Sequence, residues 1–313
     1  MIPIRGNHQF LRQSKNPFAD FMAKKGAAKK LTTTVLRKSR GSKVEDISTL
    51  FVHYQGTRQT DGVQFDASFD FDNFEKAEGR GHFSFVLGAG QVIEGWDKAL
   101  KGRRLGEVLE LNIPFDLAYG KQGAGEMIPP KTPLRFKVEL LASGPAGSQQ
   151  PSAFPTLPDI GIKPEKIGLT DELLSTIEMS KIALDGDDTL TGGDQVDLLI
   201  GLKGHDVLDG GRGGDVLIGG KGKDTFQYSS IRNSADTEGE RDTILQFGRS
   251  DRIDVSALTK SLSYIGSKPF SATAGEARFS NETLELDKNG DGEADFAVLM
   301  PNAKSFKEKN LIV

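Results

Sequence analysis

Aspartate recurs at positions 188, 197, 206, 215 and 224, a strict interval of nine, and two residues after each lies Leu190, Leu199, Leu208, Leu217 or Phe226. No other feature constrains the fold as much, because a chain that repeats one short unit in phase must stack that unit upon itself. Residues 210 to 227, "GGRGGDVLIGGKGKDTFQ", hold two close copies of G-G-x-G-x-D-x-U-x, where U is apolar. "ALDGDDTLT", "GGDQVDLLI" and "GLKGHDVLD" are looser copies. Each element of the unit has a physical use. Glycine reaches positive φ in tight turns and exposes backbone carbonyls. The aspartate offers the hard anionic oxygen that calcium prefers. The apolar residue supplies a narrow core between stacked short strands.

A Gly- and Asp-rich disordered segment is the alternative. Five registers in phase, each with its apolar residue, argue against it. The pattern resembles the RTX, or hemolysin-type calcium-binding, repeats. That resemblance implies an all-β parallel β-roll over 183–227 in which two nonapeptides make one turn. Asp188, Asp206 and Asp224 then form one column, and Asp197 and Asp215 the other. It also implies calcium as a structural cofactor, held by these five aspartates and by the backbone carbonyls of Gly210, Arg212, Gly219 and Lys221. Carboxylate columns repel one another without a cation, so metal binding and folding are expected to be one event.

Residues 228–313 read as a β cap on the roll. Within them "RDTILQFGRSDRIDVSAL" resembles the segment after the repeats in secreted serralysin-type proteases. "DKNGDGEADF" sets Asp287, Asn289, Asp291 and Asp295 at calcium-loop spacing, with Gly292 at the sharp turn. Position twelve of an EF-hand loop would be Val298 rather than glutamate, and a tight polar hairpin explains the same residues. Both readings stay open here. The four histidines, His8, His53, His82 and His205, are scattered and no H-E-x-x-H motif exists, so the protease likeness does not extend to a zinc protease. His53 reads as a strand residue.

A second domain precedes the repeats, over 32–143. "LRFKVELL" puts Leu134, Phe136, Val138 and Leu140 on one side and Arg135, Lys137 and Glu139 on the other; "VLELNIP" does the same with Leu109, Leu111 and Ile113. Both are half-buried strands by period. "VIEGWDKALKG" spaces Ile93, Trp96 and Leu100 as a helix, with Gly102 as its stop. One helix laid on an antiparallel sheet is the economical α+β arrangement.

In order along the chain, "VHYQG", "DGVQFDAS", "FSFVLGAGQVIEGWDKAL", "LAYG", "MIPP" and "LRFKVELL" resemble the FKBP-type peptidyl-prolyl isomerases over about 110 residues. The resemblance implies an aromatic pocket for a proline ring, lined by Tyr54, Phe65, Asp66, Phe83, Val92, Ile93, Trp96, Tyr119, Ile128 and Phe136. Trp96 would form its floor, and the Ile93 N–H and Tyr119 would meet substrate carbonyls. No cofactor is implied for that chemistry. Phe83, Phe85, Val92, Trp96 and Phe136 would also serve as plain core in any small sheet-and-helix domain. Asp66 and Tyr119 resist that account, since a carboxylate and a phenol beside a core need partners. Three departures from the family concern peptide preference and macrolide affinity: the long segment between Asp66 and Phe83, Leu117 where an aromatic residue is common, and Ala124 and Gly125 at the pocket rim.

Between the domains, 144–182 reads as a Pro/Gly/Ser-rich linker followed by a short helix, "TDELLSTIEMSKI", capped by Thr170. Residues 1–31 hold seven Lys and Arg against Asp20 and read as a basic, flexible tail. The formal charge of the whole chain is only −4, so no nucleic-acid partner is expected. With no cysteine, disulfides and thiol catalysis are excluded. No apolar run of eighteen residues spans a membrane, and no apolar stretch after the first charges suggests a cleaved signal.

The expected function is therefore isomerisation of X–Pro bonds in proline-containing polypeptide clients, with macrolide-type inhibitors as a second ligand class. The RTX likeness implies export by type I secretion machinery, from a cytoplasmic precursor to an extracellular product. The alternative is a calcium-dependent interaction or adhesion protein whose first domain is a non-catalytic peptide clamp or chaperone.

Overall fold

The computed structural model describes residues 28–77, 81–149, 156–177, 179–237, 239–301, 303 and 306–313. Of the basic tail, residues 1–27 lie outside the described residues. The chain divides into two compact units, the first reaching Ile162 and the second running from Lys163 to Val313, with Asp72–Phe74 grouped with the second.

The first unit is α+β. Its strands are β1 (Thr32–Arg37), β2 (Thr49–Arg58), β3 (Gln64–Ala67), β4 (Phe69–Asp70), β5 (Glu75–Lys76), β6 (Phe83–Val86), β7 (Val108–Ile113) and β8 (Leu134–Gly144). Six of them form one antiparallel sheet in the order β1-β7-β8-β2-β3, with β6 also paired to β2; β4 and β5 make a separate hairpin. Strand β8 alternates buried and half-buried residues along its whole length, as its period demands. The one helix of this sheet, α1 (Glu94–Leu100), buries Gly95, Trp96, Ala99 and Leu100. Gly95 lets it approach β7 closely: a Cβ there would lie 2.5 Å from Ile113 Cγ2. Leu109, Leu111, Ile113, Leu134, Phe136, Val138, Leu140 and Trp96 form the core between helix and sheet.

Part of the proposed linker is folded. The Arg40 N–H donates to the Asp159 carbonyl at 2.6 Å, and Ile162 is buried. Helix α2 (Pro164–Ile167) and helix α3 (Asp171–Thr176) follow, and Thr170 Oγ1 caps α3 by accepting from the Leu173 N–H at 3.2 Å. The helix expected over 170–182 stops at Thr176, and Met179–Ile182 is a strand instead. Its backbone pairs in parallel with the second repeat strand, Asp197–Ile200, and those ladder hydrogen bonds outweigh its weak helical spacing.

The second unit is all-β. Its strands are β9 (Met179–Ile182), β10 (Thr189–Gly193), β11 (Asp197–Ile200), β12 (Lys203–Gly204), β13 (Val207–Gly211), β14 (Val216–Ile218), β15 (Lys221–Gly222), β16 (Thr225–Gln227), β17 (Asp242–Ile244), β18 (Arg252–Asp254), β19 (Ser263–Tyr264), β20 (Glu276–Ser280), β21 (Thr283–Asp287), β22 (Phe296–Leu299) and β23 (Leu311–Ile312). Successive repeat strands alternate between two sheets. One is parallel in the order β10-β13-β16-β18-β23; the other runs β9-β11-β14-β17-β22 in parallel and continues antiparallel through β21 and β20, with β19 at its edge. Leu190, Leu199, Leu208, Leu217 and Phe226 are all completely buried. This is the geometry of a β-roll, and residues 228–313 lengthen its two sheets rather than sit across their end.

Candidate functional site

In the first unit the sheet, helix and one loop bring nine of the ten expected pocket residues into or onto one core, and the tenth, Asp66, is tied to it by a hydrogen bond from Tyr54. Tyr54 (β2), Val92, Ile93, Trp96 (α1), Ile128 and Phe136 (β8) are buried members of it, while Phe65, Phe83 and Tyr119 pack against it half-buried. Trp96 is fully buried and stands edge-on to Phe136 at 5.2 Å and to Tyr54 at 5.7 Å, with Phe83 at 6.2 Å. Phe65 meets Phe136 edge-to-face at 5.5 Å across Gly56, where any side chain would strike both rings. Ile128 is fixed by a two-way backbone bridge to Ala124, which turns the loop back toward the core.

Polar groups in this core are of two kinds. The Tyr54 hydroxyl donates to Asp66 Oδ2 at 2.7 Å, so the buried carboxylate has a partner. Two side-chain donors have none among the described residues: the Tyr119 hydroxyl and the Trp96 Nε1–H. Burial, and then the charge of Asp66, push the Tyr119 phenol up to about 12, so it stays a donor at physiological pH. A buried donor left unpaired costs roughly 1–3 kcal/mol, which a ligand carbonyl would restore.

In the second unit the aspartates form two ladders. Asp188 N–H donates to Asp206 Oδ1 (2.9 Å), Asp206 N–H to Asp224 Oδ1 (3.1 Å) and Asp224 N–H to Asp251 Oδ1 (3.2 Å). On the other side Asp197 N–H donates to Asp215 Oδ1 (2.8 Å) and Asp215 N–H to Asp242 Oδ1 (2.9 Å). The columns expected for the five repeat aspartates are these two.

Two family models match the chain. That described as FKBP-type peptidyl-prolyl cis-trans isomerase matches residues 40–141, and that described as peptidase M10 serralysin C terminal matches residues 187–313. FK506-binding protein 1 of Dictyostelium discoideum is 40% identical over 109 residues, which are 34% of this chain and 92% of that protein. The chain belongs to the FKBP-type peptidyl-prolyl cis-trans isomerases. The FK506-binding protein of Neisseria meningitidis serogroup C is 40% identical over 106 residues, 34% of this chain and 89% of that protein. Peptidyl-prolyl cis-trans isomerase FKBP15-2 of Arabidopsis thaliana is 45% identical over 105 residues, 33% of this chain; the chain spans only 58% of that relative's length. To the FKBP domain this chain adds a serralysin-type C-terminal region of the RTX kind.

The roll of this FKBP-type protein fits a hard cation. Asp206, Asp215, Asp224 and Asp242 each spend Oδ1 on a ladder N–H, and the Oδ2 of each is buried with no hydrogen-bond partner; Asp188 and Asp197, at the head of the ladders, accept instead through Oδ2 from the Leu184 and Gly193 N–H groups. Desolvation is the main reason that Asp206 and Asp215 are pushed up to about 7 and Asp224, Asp242 and Asp251 are pushed upward. The glycines leave the space around these oxygens open. A Cβ at Gly201 would strike Asp206 Oδ2 and the Gly219 carbonyl together, and one at Gly192 would strike Asp197 Oδ2 and the Gly210 carbonyl. At Gly201 carboxylate and carbonyl oxygens thus converge with Asp206 Oδ2 unpartnered, whereas at Gly192 the Asp197 Oδ2 already accepts from the Gly193 N–H at 2.8 Å. Among the described residues no three His, Cys, Asp or Glu side chains gather as a metal cluster, so a cation held here would need backbone carbonyls among its ligands. Arg212 and Lys221 lie in the same turns, their N–H groups donating to Gly193 O and Leu202 O.

Asp242 and Asp251 belong to the ladders and were not among the expected ligands. Both keep the nine-residue phase, at 224 + 18 and 224 + 27, although the intervening unit holds Asn233 in place of aspartate. Asp287, Asn289, Asp291 and Asp295 form the turn of the β21–β22 hairpin. There Asp287 accepts from the Gly290 and Gly292 N–H groups at 2.6 and 2.9 Å, and Asp295 Oδ2 accepts from Lys288 and Asn289. Of the two readings of that segment, the hairpin describes its backbone.

Proposed function

We propose that the chain accelerates cis-trans isomerisation of X–Pro bonds in polypeptides, at the pocket formed by Tyr54, Phe65, Asp66, Phe83, Val92, Ile93, Trp96, Tyr119, Ile128 and Phe136. The observation that carries this reading is the pair of unpartnered donors, the Tyr119 hydroxyl and the Trp96 Nε1–H, set into an aromatic core. Rotation about an X–Pro bond is opposed by amide resonance, with a barrier of roughly 18–20 kcal/mol. The planar amide carries charge on oxygen and nitrogen that an apolar surround solvates poorly, while the twisted amide has lost much of it. A dry aromatic site therefore favours the twisted form over the planar one. The Tyr119 O–H and the Ile93 N–H hold carbonyls of the peptide on either side, and Asp66, tied to Tyr54, needs no proton exchange. A millionfold acceleration requires about 8 kcal/mol, shared among shape, these hydrogen bonds and desolvation. Macrolide-type inhibitors would compete for the same surface.

The roll would hold calcium through Asp188, Asp197, Asp206, Asp215 and Asp224, joined by Asp242 and Asp251, with carbonyls of Gly210, Arg212, Gly219 and Lys221. Asp287, Asn289, Asp291 and Asp295 are a lesser candidate. Bound calcium would supply the positive charge that the two carboxylate ladders lack. A region of serralysin type supports export by type I machinery, with the roll folding where calcium is plentiful.

The test is a protease-coupled assay of an X–Pro peptide with the calcium-loaded full chain, wild type against Phe65→Ala and Tyr119→Phe. Acceleration that falls in both variants is the expected result. A wild-type rate equal to the spontaneous one would sink the catalytic reading and leave the non-catalytic clamp.

A further inference from the structure

The second unit carries a cavity of about 480 Å³ whose lining includes His205, Lys223, Arg249, Arg252 and Lys309. Four cations face one carboxylate there, Asp224, in a chain that is acidic overall. Topology explains the convergence. Strands β16, β18 and β23 are parallel neighbours, so their leading ends share one edge of the sheet, and Lys223, Arg252 and Lys309 sit at or just before those ends. Arg249 arrives on the turn before β18.

None of these four cations makes an ion pair among the described residues. That sets them apart from other cations of the molecule: Lys203 holds Asp185 at 2.6 Å, Arg278 holds Glu285 at 2.5 Å, and Lys98 holds Glu94 at 2.6 Å. The walls around them are fixed. Asn310 is buried and donates from Nδ2 to the carbonyls of Asp251 (2.7 Å) and Arg249 (3.3 Å), clamping the Arg249 turn. Ser250 Oγ donates to the Gly222 carbonyl at 2.9 Å and joins that turn to the one before it. His205 Nδ1 accepts from the Lys223 N–H at 3.0 Å, which places the imidazole proton on Nε2 as one more donor.

We infer that this cavity is a binding site for a tetrahedral oxyanion of the sulfate or phosphate ester class. Two guanidinium forks, two ammonium groups and an imidazole N–H match an ion with several equivalent oxygens, and each arginine can engage two of them. Ligand sites commonly enclose about 300–1,000 Å³, so the space admits an ester with a sugar-sized body as well as the bare ion. The site borders one aspartate turn at Asp224, but its other charged walls present donors where the ladders present acceptors.

The test is isothermal titration calorimetry on the calcium-loaded full chain at low ionic strength, with inorganic sulfate, a sulfated disaccharide and its unsulfated parent. Saturable binding of both sulfated probes at one site per chain is expected, with no heat from the parent. A tighter disaccharide identifies a sugar-borne ester as the ligand, and equal affinities identify the free ion; either result supports the site. Arg249→Gln/Arg252→Gln is expected to weaken binding at least tenfold, whereas Lys268→Gln, outside the cavity, leaves it unchanged. Lys223→Gln/Lys309→Gln provides a second variant whose substitutions lie at exposed side chains, and the calcium-induced circular dichroism of each variant reports its folding. No saturable uptake by the wild type, or equal uptake by folded versions of both double variants, would overturn the inference.

Discussion

Tyr119 shows how much chemistry depends on a missing partner. Its hydroxyl is buried beside Asp66, yet Asp66 takes its hydrogen bond from Tyr54, so the Tyr119 proton is left for a ligand. Replacing Tyr119 with phenylalanine removes one hydrogen bond of about 0.5–1.5 kcal/mol, so kcat/KM for an X–Pro peptide should fall about 2- to 10-fold. The melting temperature should hold or rise, since the change removes a buried hydroxyl that has no partner in the folded chain. Because the phenol titrates only at about 12, the wild-type rate should not vary between pH 6 and 9 on its account; a fall centred near 8 in a stopped assay series would contradict this. The ordered motifs named ten positions, nine of which the structure gathers in or against one apolar core. The pairing of Tyr54 with Asp66 was not readable in them, because it depends on two strands whose register no local pattern records.

The nonapeptide turn has its own logic, in which glycine keeps open the space that a cation needs. Gly201→Ala would place a methyl group against Asp206 Oδ2 and Gly219 O at once. The calcium midpoint for the rise in β-type circular dichroism should then move up at least tenfold, and an unchanged midpoint would remove Asp206 from the ligand set. Calcium-free, the ladders should prefer acid. Asp206 and Asp215 rise from 3.8 to about 7 on folding, so between those values the folded roll holds more protons than the unfolded chain. Its stability must therefore decline as pH climbs through that window and level off above about 7. Without calcium, the roll's β-type circular dichroism should be stronger at pH 5 than at pH 7.5, and the reverse order would show that the carboxylates are not buried as described. The repeat period disclosed the roll and its inward residues. It also contained Asp242 and Asp251, but the Asn233 unit breaks the glycine pattern and hid their continuity. Met179–Ile182 was misread because a short apolar segment has no period of its own, and its strand state is decided by β11 alongside it.

The whole molecule joins two cores that differ in what holds them. The first unit is closed by an apolar sheet–helix core containing Trp96, Phe136 and Leu109, with no acidic ladder. The second has a thin line of leucines flanked by carboxylates that repel. Composition and motif order showed this division, whereas the folding of residues 156–162 onto the first unit could not be read from a Pro- and Ser-rich stretch, since its hydrogen bonds to Arg40 are long-range. Removal of calcium should consequently melt the roll's β signal and leave the isomerase rate within about twofold, because the proposed chemistry draws only on the aromatic core and its hydrogen-bond donors. The central claim is that the aromatic core turns prolyl bonds. Exchange NMR on a short X–Pro peptide tests it most directly, by measuring cis-to-trans interconversion with the full-length protein present. The account predicts exchange many times faster than the spontaneous process, which takes tens to hundreds of seconds; exchange at the spontaneous speed would contradict it.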